Sequence, residues 1–230
     1  MATKQIKDFT ETTTPVDDSE LLLGNTNGKT YRSKLSNLLK KVFSFDDVYD
    51  DYIVSGMNLE HVSTSAAPVL KTFRNNYSLH AFENGGQIES GYFTVHIQHG
   101  IKPNTNAFFH VHWSNNAATP TGNMKWFIEY SIAKGYGAGT FSSETVLSSV
   151  QTVGAQYEHQ ITNDDDMVII GINGEIEPDS VIVGRVYRDP SDPEDTLDTD
   201  AFLLHVDVHY VKSRTGTKER NRPFITSGWS

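Results

Sequence analysis

Two histidines one residue apart, in the segment His110-Val111-His112-Trp113, are the residues of this chain best suited to chemistry. Side chains of an extended strand alternate between its faces, so both imidazoles point to the same side. Phe109, Val111 and Trp113 then form the opposite, apolar face. The pair suits a metal site, and it equally suits a polar sheet face or a subunit contact. In each case we expect the two imidazoles to lie outside the hydrophobic core.

A second histidine-bearing stripe is predicted near the C-terminal end. The segment 202–211 alternates so that its apolar face carries Phe202, Leu204, Val206, Val208 and Tyr210. The reverse face carries His205, Asp207 and His209. If this strand lies beside the first, several imidazoles and one carboxylate converge at ligand distance around a divalent ion such as zinc. A third segment, 92–98, brings His96 to the side of His110 and His112 if it forms a hairpin with 108–113 in a register that matches apolar faces.

The metal sites of two enzyme families contain a sequence similar to His-Val-His-Trp. In both cases the other ligand residues of the family are not at the required spacing in this chain. A cupin site has a Glu within a few residues of His-x-His, whereas the first Glu after His112 is Glu129. The string is also similar to the zinc-binding strand of α-class carbonic anhydrases, in which Glu-x-His follows, but here Tyr130 and Ser131 follow Glu129. Three consecutive aspartates, 164–166, are typical of a solvated turn. We therefore assign no catalytic residues.

The amino-acid composition of the chain excludes several classes of binding partner. The formal net charge of -10 argues against nucleic acid, because phosphate binding requires a basic surface. No stretch approaches the roughly 20 apolar residues of a membrane-spanning helix, and we expect no secretion signal. With no cysteine, a metal must be held by histidine or carboxylate. Protein or a neutral ligand is the expected partner.

Short alternating segments separated by Gly, Asn, Pro and Ser predict a mainly β fold from Asp46 onward. We expect an antiparallel β-sandwich, jelly-roll-like, over residues 46–230. The predicted strands are 92–98, 108–113, 126–132, 167–172, 181–187 and 202–211. The acidic stretch 189–200, which contains no Lys or Arg, is expected to be a solvated loop.

The N-terminal residues 1–45 predict a separate small segment. Leu21 to Leu23 and Lys29 to Tyr31 flank a turn-rich stretch and predict a hairpin, and Ser33 is suited to cap a short helix after it. Such a segment is too small to fold alone, so it is expected to anchor on a partner or on sister subunits. A first hairpin that covers the main domain is an equal alternative. The anchoring side chains are predicted to be Leu21, Leu23, Tyr31, Leu35, Leu38 and Leu39.

A resemblance extends these expectations. The opening 6–42 carries Thr12-Thr13-Thr14-Pro15-Val16-Asp17-Asp18, Leu21-Leu22-Leu23, Gly28-Lys29-Thr30 and Ser36-Asn37-Leu38, and it resembles the virion-attachment ends of tailed-phage fibres. The main domain is similar to small phage structural proteins in its His-Val-His-Trp string, in Trp126 with Glu129 and Tyr130, and in Asp207, His209 and Tyr210 with Gly216, Lys218 and Pro223. The resemblance implies a virion component, assembled in the host cytoplasm, that is commonly trimeric. Its partners would be further copies of itself and capsid, portal, collar or tail proteins.

In a trimer, residues near the axis meet three copies of themselves, so one histidine per subunit can build a three-histidine metal site. His110, His112 and His209 are the candidate ligands, and a structural divalent metal is the one cofactor considered. The alternative is that the imidazoles hydrogen-bond across strands within one subunit.

Three functions follow in order. The first is a structural virion protein, as a short fibre, head-decoration or tail-accessory component. The second is a module that binds carbohydrate or a host receptor, for example a surface glycan, through aromatics such as Tyr136, Trp126 or Trp229. The third is a histidine-based metalloenzyme.

Overall fold

The computed structural model describes residues 20–26, 29–34, 49–55, 66–137, 139–169, 171 and 176–213. The chain divides into two compact units, Met1–Asp47 and Val48–Ser230. In the first unit, β1 (Glu20–Thr26) pairs antiparallel with β2 (Lys29–Lys34), with a register irregularity between Leu22 and Gly24. The predicted hairpin is therefore present.

The helix predicted after Ser33 does not begin there, because Ser33 and Lys34 are still part of β2, where they pair with Leu21 and Glu20. The remainder of that prediction lies outside the described residues. The same holds for the predicted anchoring residues Leu35, Leu38 and Leu39. Leu21, Leu23 and Tyr31 lie in the hairpin strands.

The second unit is built from strands, which are β3 (Tyr49–Ser55), β4 (Val69–Arg74), β5 (Tyr77–Phe82), β6 (Glu89–His96), β7 (Ala107–Ser114), β8 (Asn123–Ala133), β9 (Thr145–Thr152), β10 (Gln160–Ile161), β11 (Val168–Ile169), β12 (Val181–Arg188) and β13 (Ala201–Val211). They form two antiparallel sheets. The first sheet has the order β10-β7-β13-β5-β4, with β11 also paired to β7 and β3 to β13. The second sheet has the order β6-β12-β8-β9. The mainly β sandwich predicted from the sequence is confirmed.

The core lies between the two sheets and is rich in aromatic side chains. Trp113 of the first sheet meets Trp126 of the second, with ring centroids 6.4 Å apart, and neither side chain is exposed. Phe109 contacts Phe93 and Tyr130 from the second sheet in edge-to-face arrangements. Full burial of such a side chain contributes roughly 2–3 kcal/mol through the hydrophobic effect alone. As predicted, Phe109, Val111 and Trp113 form the core face of their strand.

The start of the core face of β13 differs from the prediction, which placed Phe202 and Leu204 on it. The pairing of β13 with β7 shifts between Leu203 and His205, so the strand contains a bulge at this point. Leu203 is fully buried as a result, and the predicted core residue Leu204 is only partly buried. Phe202 is buried too, but it pairs with Ser114 on the face opposite the core and contacts Phe73. Beyond the bulge the predicted alternation is intact, because Val206, Val208 and Tyr210 lie on the core face.

The acidic segment 189–200 is a loop, as predicted, but it is only partly solvated. Asp195 and Leu197 are buried, and Asp195 forms an ion pair with Arg188, which is also fully buried. Lys125 bridges to Asp192 and Glu194. The positive charges that the segment lacks are supplied by strands β12 and β8, so the segment packs against the sandwich.

Among the described residues, no helix is long and apolar enough to span a membrane.

Candidate metal centre

The histidine stripes lie side by side on the outer face of the first sheet. β7 and β13 are adjacent antiparallel strands whose register places His205 opposite His112, Asp207 opposite His110 and His209 opposite Phe108. Since each strand turns alternate residues away from the core, these side chains share one face. We call the set His110, His112, Asp207, His205, His209, His159 and Asp164 the histidine cluster. The convergence expected if the two strands were neighbours is thus present.

Asp207 lies at the centre of the histidine cluster. Its carboxylate oxygens face two imidazoles: Oδ1 lies 3.3 Å from Nδ1 of His110, and Oδ2 lies 3.1 Å from Nε2 of His112. All three residues are buried, with His110 7%, His112 9% and Asp207 4% exposed. One potential metal-ligand atom of each residue lies within 4.8 Å of those of the other two. This is a donor set of two imidazoles and one carboxylate.

Each of the two imidazoles has a second partner at its far nitrogen. Nε2 of His110 lies 2.6 Å from Oδ1 of Asp164, and Nδ1 of His112 lies 2.8 Å from Nε2 of His159. The ring of His205 stacks on the ring of His112 with centroids 3.9 Å apart. These contacts fix the orientation of both rings, so that one nitrogen of each is turned toward Asp207.

A second group shares His110 with the first. His110, Asp164 and His209 each place a donor atom within 4.8 Å of the others. Here Asp164 is largely exposed, since its side chain retains 55% of its accessible surface. Nε2 of His209 lies 3.3 Å from Oδ1 of Asp51 on β3. This group is therefore more open to solvent than the first.

Burial and neighbouring charges shift the pKa values of the residues in the histidine cluster, and for His110 and Asp207 the two effects have opposite signs. Burial lowers the pKa of His110, but the interactions with Asp207 and Asp164 outweigh it, so that the pKa is raised. Burial raises the pKa of Asp207, and the interactions with His110 and His112 reverse this and lower it to about 2. Burial and the charge of His112 lower the pKa of His159 and of His205. Without a metal, the centre of the cluster is thus an ionised carboxylate beside a readily protonated His110.

The three histidines predicted as ligands are all present in the cluster, but they do not form one group. His110 and His112 join Asp207, whereas His209 joins His110 and Asp164. The contacts between β7 and β13 occur within one chain, as in the alternative that places the imidazoles in a network of one subunit. A shared site at a trimer axis stays a prediction.

His96 does not join the cluster. Its strand, β6, pairs with β12 in the second sheet, and His96 contacts Asp179 through Nε2 at 3.2 Å. The hairpin with 108–113 was wrong because the apolar face of β6 meets the same core from the opposite side. Matching apolar faces cannot tell a neighbouring strand from a facing one.

Sequence reasoning missed two members of the cluster. The sequence pattern does not indicate His159, and for Asp164 it predicts only a solvated turn. Asp164 begins the short 3-10 helix Asp164–Asp166 and is exposed, as expected of a turn, but its carboxylate reaches His110. Both residues come from an irregular segment between β9 and β11, in which no alternation indicates a direction. Asp166 also has a structural contact, since it accepts a hydrogen bond from the hydroxyl of Ser149.

The aromatics proposed for sugar stacking are only partly available. Trp126 is fully buried in the core and cannot stack on a ligand. Tyr136 is partly buried, and Trp229 lies outside the described residues. On the outer face of the second sheet, Phe127 and Tyr187 stack on each other, with ring centroids 4.8 Å apart. Arg185 lies over the Tyr187 ring.

Comparison with known proteins gives no family. No family model matches the chain, and no curated protein matches it. Among solved structures, an infectious bursal disease virus Gx strain structure is similar at TM-score 0.31 and 9% identity, over 84% of this chain and 37% of that one. The chain thus spans little more than a third of the viral chain.

Carbohydrate-binding modules are also among the similar structures. A family 30 carbohydrate-binding module has a TM-score of 0.38 and 15% identity, covering 79% of this chain and 91% of its own. The family 30 module of a cellulosomal cellulase of Clostridium thermocellum has a TM-score of 0.31 and 14% identity, covering 71% and 94%. Similarities this low carry no argument about function, which must be argued from the chain itself.

Proposed function

We propose that this chain is a structural component of a tailed-phage virion. In this proposal, the N-terminal unit attaches to the capsid, collar or tail, and the β-sandwich projects as part of a homotrimer. Its partners are further copies of the chain and other virion proteins. The proposal assigns it no catalytic activity.

The observation that carries the proposal is the division of the chain near Asp47. The segment that resembles virion-attachment ends, 6–42, falls entirely within the first compact unit. An attachment segment must present its own surface to a partner. A segment that forms a compact unit of its own is suited to this role.

The sandwich supports the proposal in a second way. Its core is filled by interlocking aromatic rings from both sheets, and its longest acidic segment is held by buried and partly buried ion pairs. A part of a particle that must survive outside a cell benefits from such closely packed structure. A carbohydrate-binding role has weaker support, because Trp126 is buried and Phe127 and Tyr187 stack on each other.

The test uses a phage whose own copy of this gene is inactivated. The full-length chain and a version with residues 1–47 deleted are supplied in trans, and particles are purified and probed for the chain. We expect the full-length chain to sediment with particles and the truncated chain to remain unattached, while its circular dichroism shows folded β structure. Equal incorporation of both versions, or of neither, would contradict the proposal.

A further inference from the structure

We propose that His110, His112 and Asp207 bind one divalent transition-metal ion per chain, and we use zinc as the test metal. The ligand atoms would be Nδ1 of His110, Nε2 of His112 and a carboxylate oxygen of Asp207. This inference does not depend on the virion role, and it differs from a site shared by three subunits because all three ligands come from one chain.

The distances from the two imidazole nitrogens to the Asp207 carboxylate are close to those between neighbouring ligand atoms of a zinc ion. Zinc bonds to imidazole nitrogen and carboxylate oxygen at about 2.0–2.2 Å, and tetrahedral geometry then separates neighbouring ligand atoms by about 3.3–3.5 Å. The observed separations between the facing nitrogens and the oxygens of Asp207 are 3.3 Å and 3.1 Å. One ligand atom from each of the three residues lies within 4.8 Å of the other two, so binding one ion requires the three side chains to draw closer together.

The unsatisfied carboxylate oxygen of Asp207 is an independent indication that a cation binds here. Oδ1 of Asp207 is inaccessible to solvent and accepts no hydrogen bond within the described part of the chain, although Nδ1 of His110 lies 3.3 Å away. Buried carboxylate oxygens are normally satisfied by donors, because removing them from water is costly. A cation between Asp207 and the imidazole would satisfy this oxygen.

The far nitrogens of both rings agree with metal binding. A metal-bound histidine usually donates its other ring N–H to a carboxylate or another acceptor, which fixes the tautomer and leaves the lone pair on the metal side. Asp164 occupies this position for His110, and His159 occupies it for His112. Both rings therefore have the outer partner that a ligand histidine requires.

The donor set selects the class of metal. Imidazole favours zinc, copper, iron or nickel over magnesium and calcium, and one carboxylate is compatible with this preference. Three protein ligands leave the fourth position of a tetrahedral ion to water or to another small ligand. We place the ion in this group rather than at His110, Asp164 and His209 because Asp164 is largely exposed.

The experiment uses the full-length chain, stripped with a chelator and then titrated with zinc chloride. Native mass spectrometry counts zinc per chain, and calorimetry gives the affinity. We expect one zinc per chain and a loss of affinity on the order of 100-fold or more in His112→Gln and in Asp207→Asn. His96→Gln is the matched control, since His96 pairs with an aspartate in the other sheet, and it should bind zinc like the wild type.

A measurement on the wild type keeps the test valid if a variant fails to fold. In nitrogen-resolved NMR spectra of the histidine rings, zinc should shift the signals of His110 and His112 and leave those of His96 unchanged. Three outcomes would overturn the inference: no zinc binding by the wild type at micromolar concentration, one zinc per three chains, or affinity that is lost in His209→Gln but kept in Asp207→Asn.

Discussion

Arg188 and Asp195 form a two-point ion pair inside the protein. Nη2 and Nε of the arginine lie 2.8 Å and 3.0 Å from the two carboxylate oxygens, and neither side chain is more than 1% exposed. The guanidinium also donates to the backbone carbonyls of Phe82, Leu197 and Thr199. Arg188 thus connects the end of β12 to β5 and to the acidic segment.

We predict that Asp195→Ala lowers the free energy of unfolding by about 3–5 kcal/mol, because it leaves a buried guanidinium without its counter-charge. Denaturant titration of the full-length chain measures the loss. Asp198→Ala is the control in the same segment, since Asp198 is exposed and its carboxylate accepts hydrogen bonds from Thr121 at the surface. A loss in Asp195→Ala no larger than in the control would contradict this account of the segment.

Two glycines with left-handed backbone make a matched pair. Gly86 has φ +75° and open space around its Cα, so Gly86→Ala should cost only the strain of the left-handed conformation, about 1–2 kcal/mol. Gly122 has φ +96°, and an added Cβ would lie 2.0 Å from the backbone oxygen of Thr196. We predict a clearly larger loss in Gly122→Ala, measured as the shift of the denaturation midpoint. Equal losses would show that the contact between Gly122 and the acidic segment is not close.

The buried Glu89 makes stability depend on pH. Burial raises the pKa of Glu89, and the nearby Glu83 and Asp200 carboxylates add to the increase, although the backbone N–H of Glu83 opposes it. A carboxyl whose pKa is higher in the folded state favours folding at low pH, and this contribution is lost as pH rises through the folded-state pKa.

Glu89→Gln removes this titration and can still accept the hydrogen bond from Glu83. We therefore predict that the variant gains stability relative to the wild type between about pH 4 and about pH 7. Denaturation curves at the two pH values give the comparison. A difference between variant and wild type that stays constant across this range would refute the assignment.

Asp164 tests the outer partner of the proposed metal centre. Replacing a residue that orients a ligand histidine typically weakens metal binding by about 10- to 100-fold without abolishing it. We predict this range for Asp164→Asn in zinc titration calorimetry. Asp165→Asn, one residue further along the same exposed turn, is the control and should leave the affinity unchanged. A loss as large as that in Asp207→Asn would make Asp164 a direct ligand instead.

Alternation along the strands predicted β6, β7, β8, β11, β12 and β13 and the face on which the histidines lie. It succeeded for β7 and β13 because each carries apolar residues on its core face and polar residues on the other face. It failed for β3, β4, β5, β9 and β10; of these, β4 and β9 have few buried side chains and show little apolar periodicity. Edge strands of this kind carry too few core residues to produce the pattern.

The candidate site was predicted in part for the same reason. His110, His112 and Asp207 follow from period-two alternation, whereas His159 and Asp164 belong to an irregular segment whose direction depends on tertiary packing. The acidic segment 189–200 was misjudged because the cations that neutralise it, Arg188 and Lys125, lie outside it. Composition of a segment cannot report charges that reach it from other strands.

The most direct test of the proposed role is quantitative mass spectrometry of purified particles from the phage proposed to encode this chain, with the major capsid protein as internal reference. We predict that the chain is present at a reproducible copy number that is a multiple of three. Its absence from particles, while it accumulates in the infected cell, would contradict a virion role.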